Sequence, residues 1–148
     1  MLARRAMFGL LLPATAMAQL PPQQQPPPLP PLPAITLARG VTALPAGAWR
    51  VAFPPERELL EAGQRAALGR IGAVLNTGTA GRITLISSTS EGDDISTHRR
   101  LTLARARAVK AALIAGGLAE TRIDIRALGR TEAARDAVDI LTPTAPRG

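Results

Sequence analysis

A proline-rich run divides this chain and confines any compact fold to its C-terminal part. Residues 20–33 read LPPQQQPPPLPPLP. This segment has too few apolar side chains to form a core, and it favours extended polyproline II of about 3 Å per residue. We interpret residues 19–48 as a Pro/Gln-rich linker, although 34–48 could instead pack on the domain. A PxxP ligand for a partner protein is the alternative interpretation of the prolines.

The segment before this run has the pattern of a secretory signal peptide over residues 1–18. Arg4 and Arg5 supply positive charge, residues 6–12 are apolar, and AMA at 16–18 matches a small-x-small cleavage site. The apolar stretch is shorter than the roughly 20 residues that a membrane span requires. We therefore expect export to the periplasm, association with the outer membrane or cell wall, and no transmembrane span in the mature chain.

Composition narrows the function classes. The chain has no cysteine, which excludes disulfides and a lipidated cysteine, and its net charge is +7. Nucleic-acid binding would favour aromatic residues among the basic ones. After the signal segment, Trp49 and Phe53 are the only aromatic residues. We therefore expect no nucleic-acid partner.

Hydrophobic periodicity predicts a strand, a helix and a second strand in the first half of the domain. Trp49, Val51 and Phe53 alternate as one face of a strand that two prolines end. Residues 56–75 have apolar side chains at helical spacing, with acidic residues near the start. Residues 82–86 form a buried strand, and the polar stretch 87–100 is predicted as a loop.

The second half repeats this alternation of helix and strand. A helix is predicted over 103–115 with Thr102 as its N-cap, followed by a strand at 122–128. Residues 129–135 are a turn or a short helix, and 137–141 are the last strand. The order β-α-β-α-β-(α)-β over 49–142 predicts an α/β fold, a two-layer α+β sandwich, with 143–148 as a tail.

Arg105 departs most from its surroundings. Its neighbours at helical spacings are Leu101, Ala108, Val109 and Ala112, which place the guanidinium on the apolar face of the second helix. With Thr102 as N-cap it also lies in the first turn, where the helix dipole favours an anion. A bound carboxylate would resolve both conflicts. The alternatives are an arginine that extends to water, or a pair with an acidic residue of this chain such as Glu91 or Asp93.

The predicted loop before this helix contains the other candidate ligand groups. They are Thr89, Ser90, Glu91, Asp93, Asp94 and His98. Such a loop can bind a polar ligand or be solvated surface. A hydrolase that uses His98 would need a nucleophile elbow, which the sequence lacks, and a single histidine without cysteine excludes the usual zinc ligand sets. We therefore expect no enzyme activity, no metal and no cofactor.

Three segments resemble the OmpA-like family, which includes C-terminal domains of outer-membrane proteins and relatives in flagellar motor stators. They are F-x5-L-x3-GQRAAL at 53–68, LTLARARAV at 101–109 in place of the family's LSxxRAxxV, and GGLAETRIDIRALGRTE at 116–132. The resemblance covers residues 49 to about 141. It implies a mixed sheet and a non-enzymatic domain that binds the diaminopimelate of cell-wall peptide stems.

In that family an aspartate that ends a GHTD-like motif and the arginine of LSxxRA hold the ligand. The resemblance places this arginine on Arg105, but SSTS at 87–90 puts Ser90 where the aspartate would be. His98 replaces an asparagine, and the family's NRRVEI is RDAVDI at 135–140. The implied ligand-binding residues are Arg105, Ser90, Thr89, Glu91 and His98.

The serine at position 90 weakens the implied site, because loss of one partner of a buried charge pair costs about 3–5 kcal/mol. Glu91 could replace the missing carboxylate if the loop shifts. The leading hypothesis is a periplasmic domain that binds peptidoglycan, tethered by the proline-rich linker. The alternative is a degenerate OmpA-like fold that contacts other envelope proteins without binding peptidoglycan.

Overall fold

The computed structural model describes residues 9, 32–90, 94–133 and 135–143. Contacts group the chain into two units, 1–30 and 31–148, and the second unit carries all the described helices and strands. Apart from Gly9, the predicted signal peptide lies outside the described residues. So do the proline-rich run as far as Pro31 and the tail from Thr144.

Within the described residues, five strands form one mixed sheet and two helices cover it. The elements are β1 (Val41–Leu44), β2 (Ala48–Ala52), α1 (Ala62–Gly78), β3 (Ile83–Thr89), α2 (Ile95–Ala115), β4 (Ile123–Arg130) and β5 (Ala137–Leu141). The strand order is β1-β2-β5-β3-β4. The β3–β4 pair is parallel and the other pairs are antiparallel. The predicted two-layer α+β fold with a mixed sheet is confirmed.

The core lies between the sheet and the two helices. In β3, alternate residues are buried from Ile83 to Thr89, so one face of the strand meets the helices. The strand predicted from the alternation of Trp49, Val51 and Phe53 is β2, and all three side chains are buried. The helices contribute Leu68, Ile71, Leu75, Val109 and Leu113. Apolar periodicity therefore placed the core correctly.

Helix α1 begins later than its predicted start at Glu56. Glu61 is the N-cap, and its side chain and that of Gln64 form a reciprocal capping box. Glu56 has a positive φ of 61°, and the N–H of Arg57 donates to the carbonyl of Pro54 in a turn. The acidic residues attributed to the helix start therefore lie mostly in a loop.

Helix α2 begins earlier than predicted, and the loop predicted at 87–100 is correspondingly short. Asp94 is the N-cap and accepts from the backbone N–H groups of Ser96 and Thr97. Thr102 is buried inside the helix, so its assignment as N-cap is wrong. The first turns contain the exposed apolar Ile95 and the buried His98, and their other residues up to Arg100 are polar and exposed. They therefore show no apolar stripe that would have indicated a helix.

Two pairs of close contacts explain glycines that would otherwise weaken the helices. A Cβ on Gly72 of α1 would overlap the carbonyl of Leu113 in α2, and a Cβ on Gly116 would overlap the carbonyl of Gly69. Because glycine has no side chain, the backbones of α1 and α2 approach more closely here than they could with any other residue at these positions. Glycine at these positions therefore serves the packing of α1 against α2.

The sheet begins N-terminal to the predicted domain start at Trp49. Strand β1 lies inside the range 19–48 that was predicted as linker, and it pairs with β2 from Val41 opposite Val51. The preceding residues also contribute apolar contacts to the core through Leu32, Ile35, Leu37 and Ala38. Residues from 34 to 48 therefore pack on the domain, which was the alternative to a linker for this segment.

Strands β3 and β4 are longer than predicted, whereas β5 matches its predicted range 137–141. Strand β3 continues to Thr89, with a register shift between Ser87 and Ser88 against β4. Strand β4 continues to Arg130, so part of the predicted turn or short helix at 129–135 is strand. The described residues from 131 to 136 contain a turn and no helix.

Candidate ligand-binding site

Arg105 lies on the buried face of α2, and its side chain has no exposed surface. Its Nη1 donates to Oδ1 of Asp136 at 2.8 Å. Its Nε donates to the carbonyl of Arg57 at 2.7 Å, and its Nη2 donates to the carbonyl of Pro54 at 3.1 Å. The Cζ atom lies 5.2 Å from the centroid of the Phe53 ring, a cation–π contact. The guanidinium is therefore enclosed by acceptors and an aromatic face of its own domain.

The position of Arg105 in its helix differs from the predicted one. Because α2 begins at Ile95, Arg105 lies about three turns into the helix. The expectation that Arg105 and the helix N-terminus share one anion is therefore wrong. The proposed pairing with an acidic residue of the same chain is observed, with Asp136 as the partner. The acidic residues named from the sequence, Glu91 and Asp93, lie outside the described residues.

Asp136 joins the end of β3 to the arginine. Its Oδ1 accepts from Thr89 Oγ1 at 2.8 Å and from the backbone N–H of Ser90 at 3.3 Å, while Oδ2 accepts from Ser90 Oγ. The sheet register explains this arrangement, because Ser88 pairs with Ala137 in the antiparallel β3–β5 ladder and the next residues on each side are therefore neighbours. A carboxylate is thus held between two hydroxyl side chains and a buried guanidinium.

This arrangement keeps the Asp136 carboxylate ionised. Burial by itself raises the pKa of an aspartate, but hydrogen bonds from Ser90, Arg105 and Thr89 outweigh it and lower the pKa of Asp136 to about 2. The side chain remains 13% exposed. In the cluster of Thr89, Ser90, Arg105 and Asp136, the Asp136 cluster hereafter, an ionised carboxylate is therefore partly accessible while its counter-charge on Arg105 is buried.

Two further polar atoms near this end of the sheet have no hydrogen-bond partner among the residues that the structure describes. They are His98 Nε2 and Ser87 Oγ, both buried. His98 lies two turns before Arg105 in α2, and its backbone carbonyl accepts from Thr102 Oγ1 at 3.0 Å. Thr102 in turn accepts from the N–H of Gly129 in β4 at 3.2 Å. A Cβ on Gly129 would lie 3.4 Å from the Cβ of His98, so His98 of α2 packs against β4.

Comparison with protein-family models gives a match to the OmpA family over residues 52–140. The chain belongs to the OmpA family. The match includes α1, β3, α2, β4 and all of β5 except its last residue, as well as all four residues of the Asp136 cluster. None of the curated proteins compared with the chain matches it.

Solved structures of OmpA-like domains share this fold. The peptidoglycan-associated lipoprotein of Burkholderia pseudomallei is 20% identical with a TM-score of 0.55, covering 62% of this chain and 87% of that one. The periplasmic domain of Helicobacter pylori MotB (residues 90–256) is 16% identical with a TM-score of 0.57, covering 75% and 87%. An outer-membrane protein of Borrelia burgdorferi is 19% identical with a TM-score of 0.55, covering 69% and 94%. At these identities the likeness concerns the fold alone.

The structure brings together three of the five ligand-binding residues that the OmpA resemblance implied. Thr89 and Ser90 bond Asp136, which pairs with Arg105. His98 is nearby along α2, but its Nε2 bonds nothing in the described part of the chain. Glu91 lies outside the described residues, so its suggested replacement of the OmpA aspartate stays a prediction.

Asp136 is the member of the cluster that sequence reasoning did not select. The segment RDAVDI had been noted only as a departure from the OmpA pattern NRRVEI, and Asp136 stands where that pattern has an arginine. Two observations in the sequence pointed to it: an acidic residue immediately before a strand, and the loss of an acid at Ser90. Only the antiparallel register of β3 and β5 shows that the two positions are in contact.

Two other features of the described residues bear on function. They contain no group of three or more histidine, cysteine, aspartate or glutamate side chains arranged to hold a metal ion. Among the same residues, no helix is long and apolar enough to cross a membrane.

Proposed function

We propose that this chain is a non-enzymatic cell-envelope protein whose OmpA-like domain binds peptidoglycan through the diaminopimelate of its stem peptides. The observation that carries the proposal is the guanidinium–carboxylate pair of Arg105 and Asp136 at the end of β3. The carboxylate of Asp136 is the partly exposed member of this pair, so it can meet an ammonium group of a diamino acid. The name of the Burkholderia relative, a peptidoglycan-associated lipoprotein, supports the same ligand.

In this proposal Arg105 is a positioning residue. Its side chain has no exposed surface and donates to three acceptors of the domain. It orients Asp136 and compensates the charge of the carboxylate, which is the partly exposed member of the pair. Thr89 and Ser90 hold the same carboxylate from the side of β3. The ligand would approach from the Ser90 side.

The proline-rich run completes the proposed function as a spacer. A polyproline II segment extends about 3 Å per residue, so residues 20–33 would separate the domain from an N-terminal attachment by about 40 Å. We propose that the chain is exported by its N-terminal segment and acts in the periplasm next to the cell wall. The tether would then allow the domain to reach its ligand.

A second candidate function is a module that contacts another envelope protein and does not bind peptidoglycan. The observation that favours it is the enclosed guanidinium: Asp136 already occupies the position next to Arg105 that a ligand carboxylate would take. An internal carboxylate that satisfies the arginine removes the electrostatic need for a bound anion.

Co-sedimentation with purified sacculi that contain diaminopimelate separates the two functions. The chain without residues 1–18 is expected to sediment with sacculi and to be released by free diaminopimelate, but not by the same concentration of an analogue whose amino groups are acetylated, because the partly exposed Asp136 carboxylate would bind the ammonium group. Absence of sedimentation, or release by neither compound, supports the second function. Because the chain is basic, with a pI of about 11.6, unspecific adsorption must be measured as well.

A variant at the exposed Arg107 of α2 measures this unspecific adsorption to sacculi. Arg107→Ala removes one positive charge outside the Asp136 cluster and is expected to sediment like the wild type at about 0.15 M salt, where exposed charges more than about 8 Å apart are screened. A large loss of sedimentation in Arg107→Ala would show that unspecific electrostatic adsorption dominates, contrary to the proposed function.

A further inference from the structure

Within the described residues, one oxygen of the Asp136 carboxylate accepts fewer hydrogen bonds than the other. Oδ1 accepts from Thr89 Oγ1, from the Ser90 N–H and from Arg105 Nη1. Oδ2 accepts from the hydroxyl of Ser90. Since each carboxylate oxygen has two lone pairs, Oδ2 retains the capacity to accept a further donor.

The partners of Oδ1 determine from which side Oδ2 of Asp136 can accept a further donor. Arg105 and Thr89 hold Oδ1 on the buried side, where Arg105 is fully enclosed. The side chain of Asp136 is 13% exposed, and Ser90 next to it is half-buried. The accessible part of the cluster is therefore a carboxylate next to a hydroxyl, an arrangement that suits a primary ammonium.

The charge of Asp136 persists over the whole physiological pH range. The hydrogen bonds from Ser90, Arg105 and Thr89 hold the pKa of Asp136 at about 2 against the opposing effect of burial. An ammonium at this site would thus meet an ionised carboxylate, partly compensated by Arg105 from the buried side, together with the neutral hydroxyl of Ser90. Charge-assisted hydrogen bonds of this kind are about twice as strong as neutral ones.

We propose that Asp136 supplies the counter-charge for the ammonium group of the ligand, so that the acidic half of the site comes from the residue before β5 and not from the end of β3. This inference rests on the proposed peptidoglycan binding. Ser90 then serves as a hydrogen-bonding group that orients Asp136. The serine at position 90 is therefore compatible with binding.

Three variants test this assignment by co-sedimentation with sacculi that contain diaminopimelate. Asp136→Asn is expected to bind at least about tenfold more weakly, because the amide keeps the shape but loses the charge. The double variant Ser90→Asp with Asp136→Asn returns the charge to the end of β3 and is expected to bind within about threefold of the wild type. Asp139→Asn, which removes the partner of Arg50 elsewhere on the sheet, is the matched control and is expected to bind normally.

The outcomes separate the two proposals. If the wild type does not bind, the proposed function fails. If the wild type and a folded Asp136→Asn bind equally, or the folded double variant gains nothing over Asp136→Asn, the assignment of Asp136 is overturned while peptidoglycan binding stands.

A measurement on the wild type decides the case in which Asp136→Asn does not fold. The ¹³C resonance of the Asp136 side-chain carboxyl is expected to shift on addition of free diaminopimelate, and to shift less with an analogue whose amino groups are acetylated. An unchanged resonance at a concentration of diaminopimelate that releases the protein from sacculi would overturn the assignment.

Discussion

At the scale of single residues, Arg105 shows how a charged side chain can occupy a helix face that is otherwise apolar. Transfer of an unpaired guanidinium into a protein interior is costly. Here one carboxylate, two backbone carbonyls and the face of Phe53 replace its water shell. Loss of Asp136 would leave the buried Arg105 without a counter-charge, because Asp136 is its only ion-pair partner in the described residues.

The stability of the domain is expected to depend on the ionisation of Asp136. A group whose pKa is lower in the folded state stabilises the fold above its unfolded pKa, and this contribution is lost as the pH falls through the folded pKa. For Asp136 the window runs from about pH 4 to about pH 2. A separation of nearly two pH units corresponds to about 2–3 kcal/mol in the free energy of unfolding. Urea unfolding at a series of pH values measures it.

The comparison variant for this prediction is Asp136→Asn. At pH 7 it is expected to be less stable than the wild type by about 3–5 kcal/mol, because Arg105 stays buried without a counter-charge. This difference should shrink between pH 4 and pH 2. Asp139→Asn removes the partner of the part-exposed Arg50 and should cost about 1 kcal/mol or less. Equal losses in the two variants would contradict the role assigned to Asp136.

At the scale of elements, the paths of α1 and α2 depend on glycines that helix propensity counts as unfavourable. Gly72 lies against the Leu113 carbonyl, and Gly116 lies against the backbone of Gly69. Propensity alone predicts that alanine at the interior positions Gly69 and Gly72 would strengthen α1 by up to about 1 kcal/mol. Tertiary packing reverses this preference where the backbones are in contact.

Two substitutions in α1 separate propensity from packing. Gly72→Ala is expected to destabilise the domain by about 1–3 kcal/mol, since the added methyl group forces α1 and α2 apart. Gly63→Ala, whose Cβ would make an ordinary contact with Ala38 at 3.5 Å, should be neutral or stabilising by up to about 1 kcal/mol. Thermal unfolding followed by circular dichroism compares them. A stabilised Gly72→Ala would refute the close approach of the two helices.

At the scale of the whole molecule, the folded unit is larger than the part with clear periodicity. Strand β1 and the apolar residues from Leu32 to Ala38 cover one side of the core. Without β1, β2 would become an edge strand with unpaired backbone groups. The sheet therefore depends on residues that resemble linker in composition.

N-terminal truncation tests whether β1 and the residues before it belong to the folded domain. A chain that begins at Trp49 is expected to unfold at a lower urea concentration than one that begins at Leu32. It lacks the β1 ladder and the apolar contacts of Leu32, Ile35 and Leu37, each buried methylene being worth about 0.8 kcal/mol. The denaturant slope should also decrease because less surface is exposed on unfolding. Identical midpoints and slopes for the two chains would show that β1 contributes nothing.

Much of this architecture was predictable from the sequence, because apolar periodicity depends only on which side chains avoid water. That rule located the buried face of β2 and placed Arg105 on the buried side of α2. The helix starts were mispredicted for a local reason. Capping by Glu61 and Asp94 involves polar residues, and several equally plausible polar residues lie near each helix start.

Tertiary structure alone decided the partner of Arg105. Position 136 is 31 residues away along the chain, and its proximity follows from the β3–β5 ladder, in which Ser88 opposite Ala137 brings Thr89 and Ser90 to Asp136. A sequence shows that a buried cation needs an anion, since burial of an unpaired charge is prohibitive. Which of several acids meets that need depends on strand register, and register is a property of the assembled sheet.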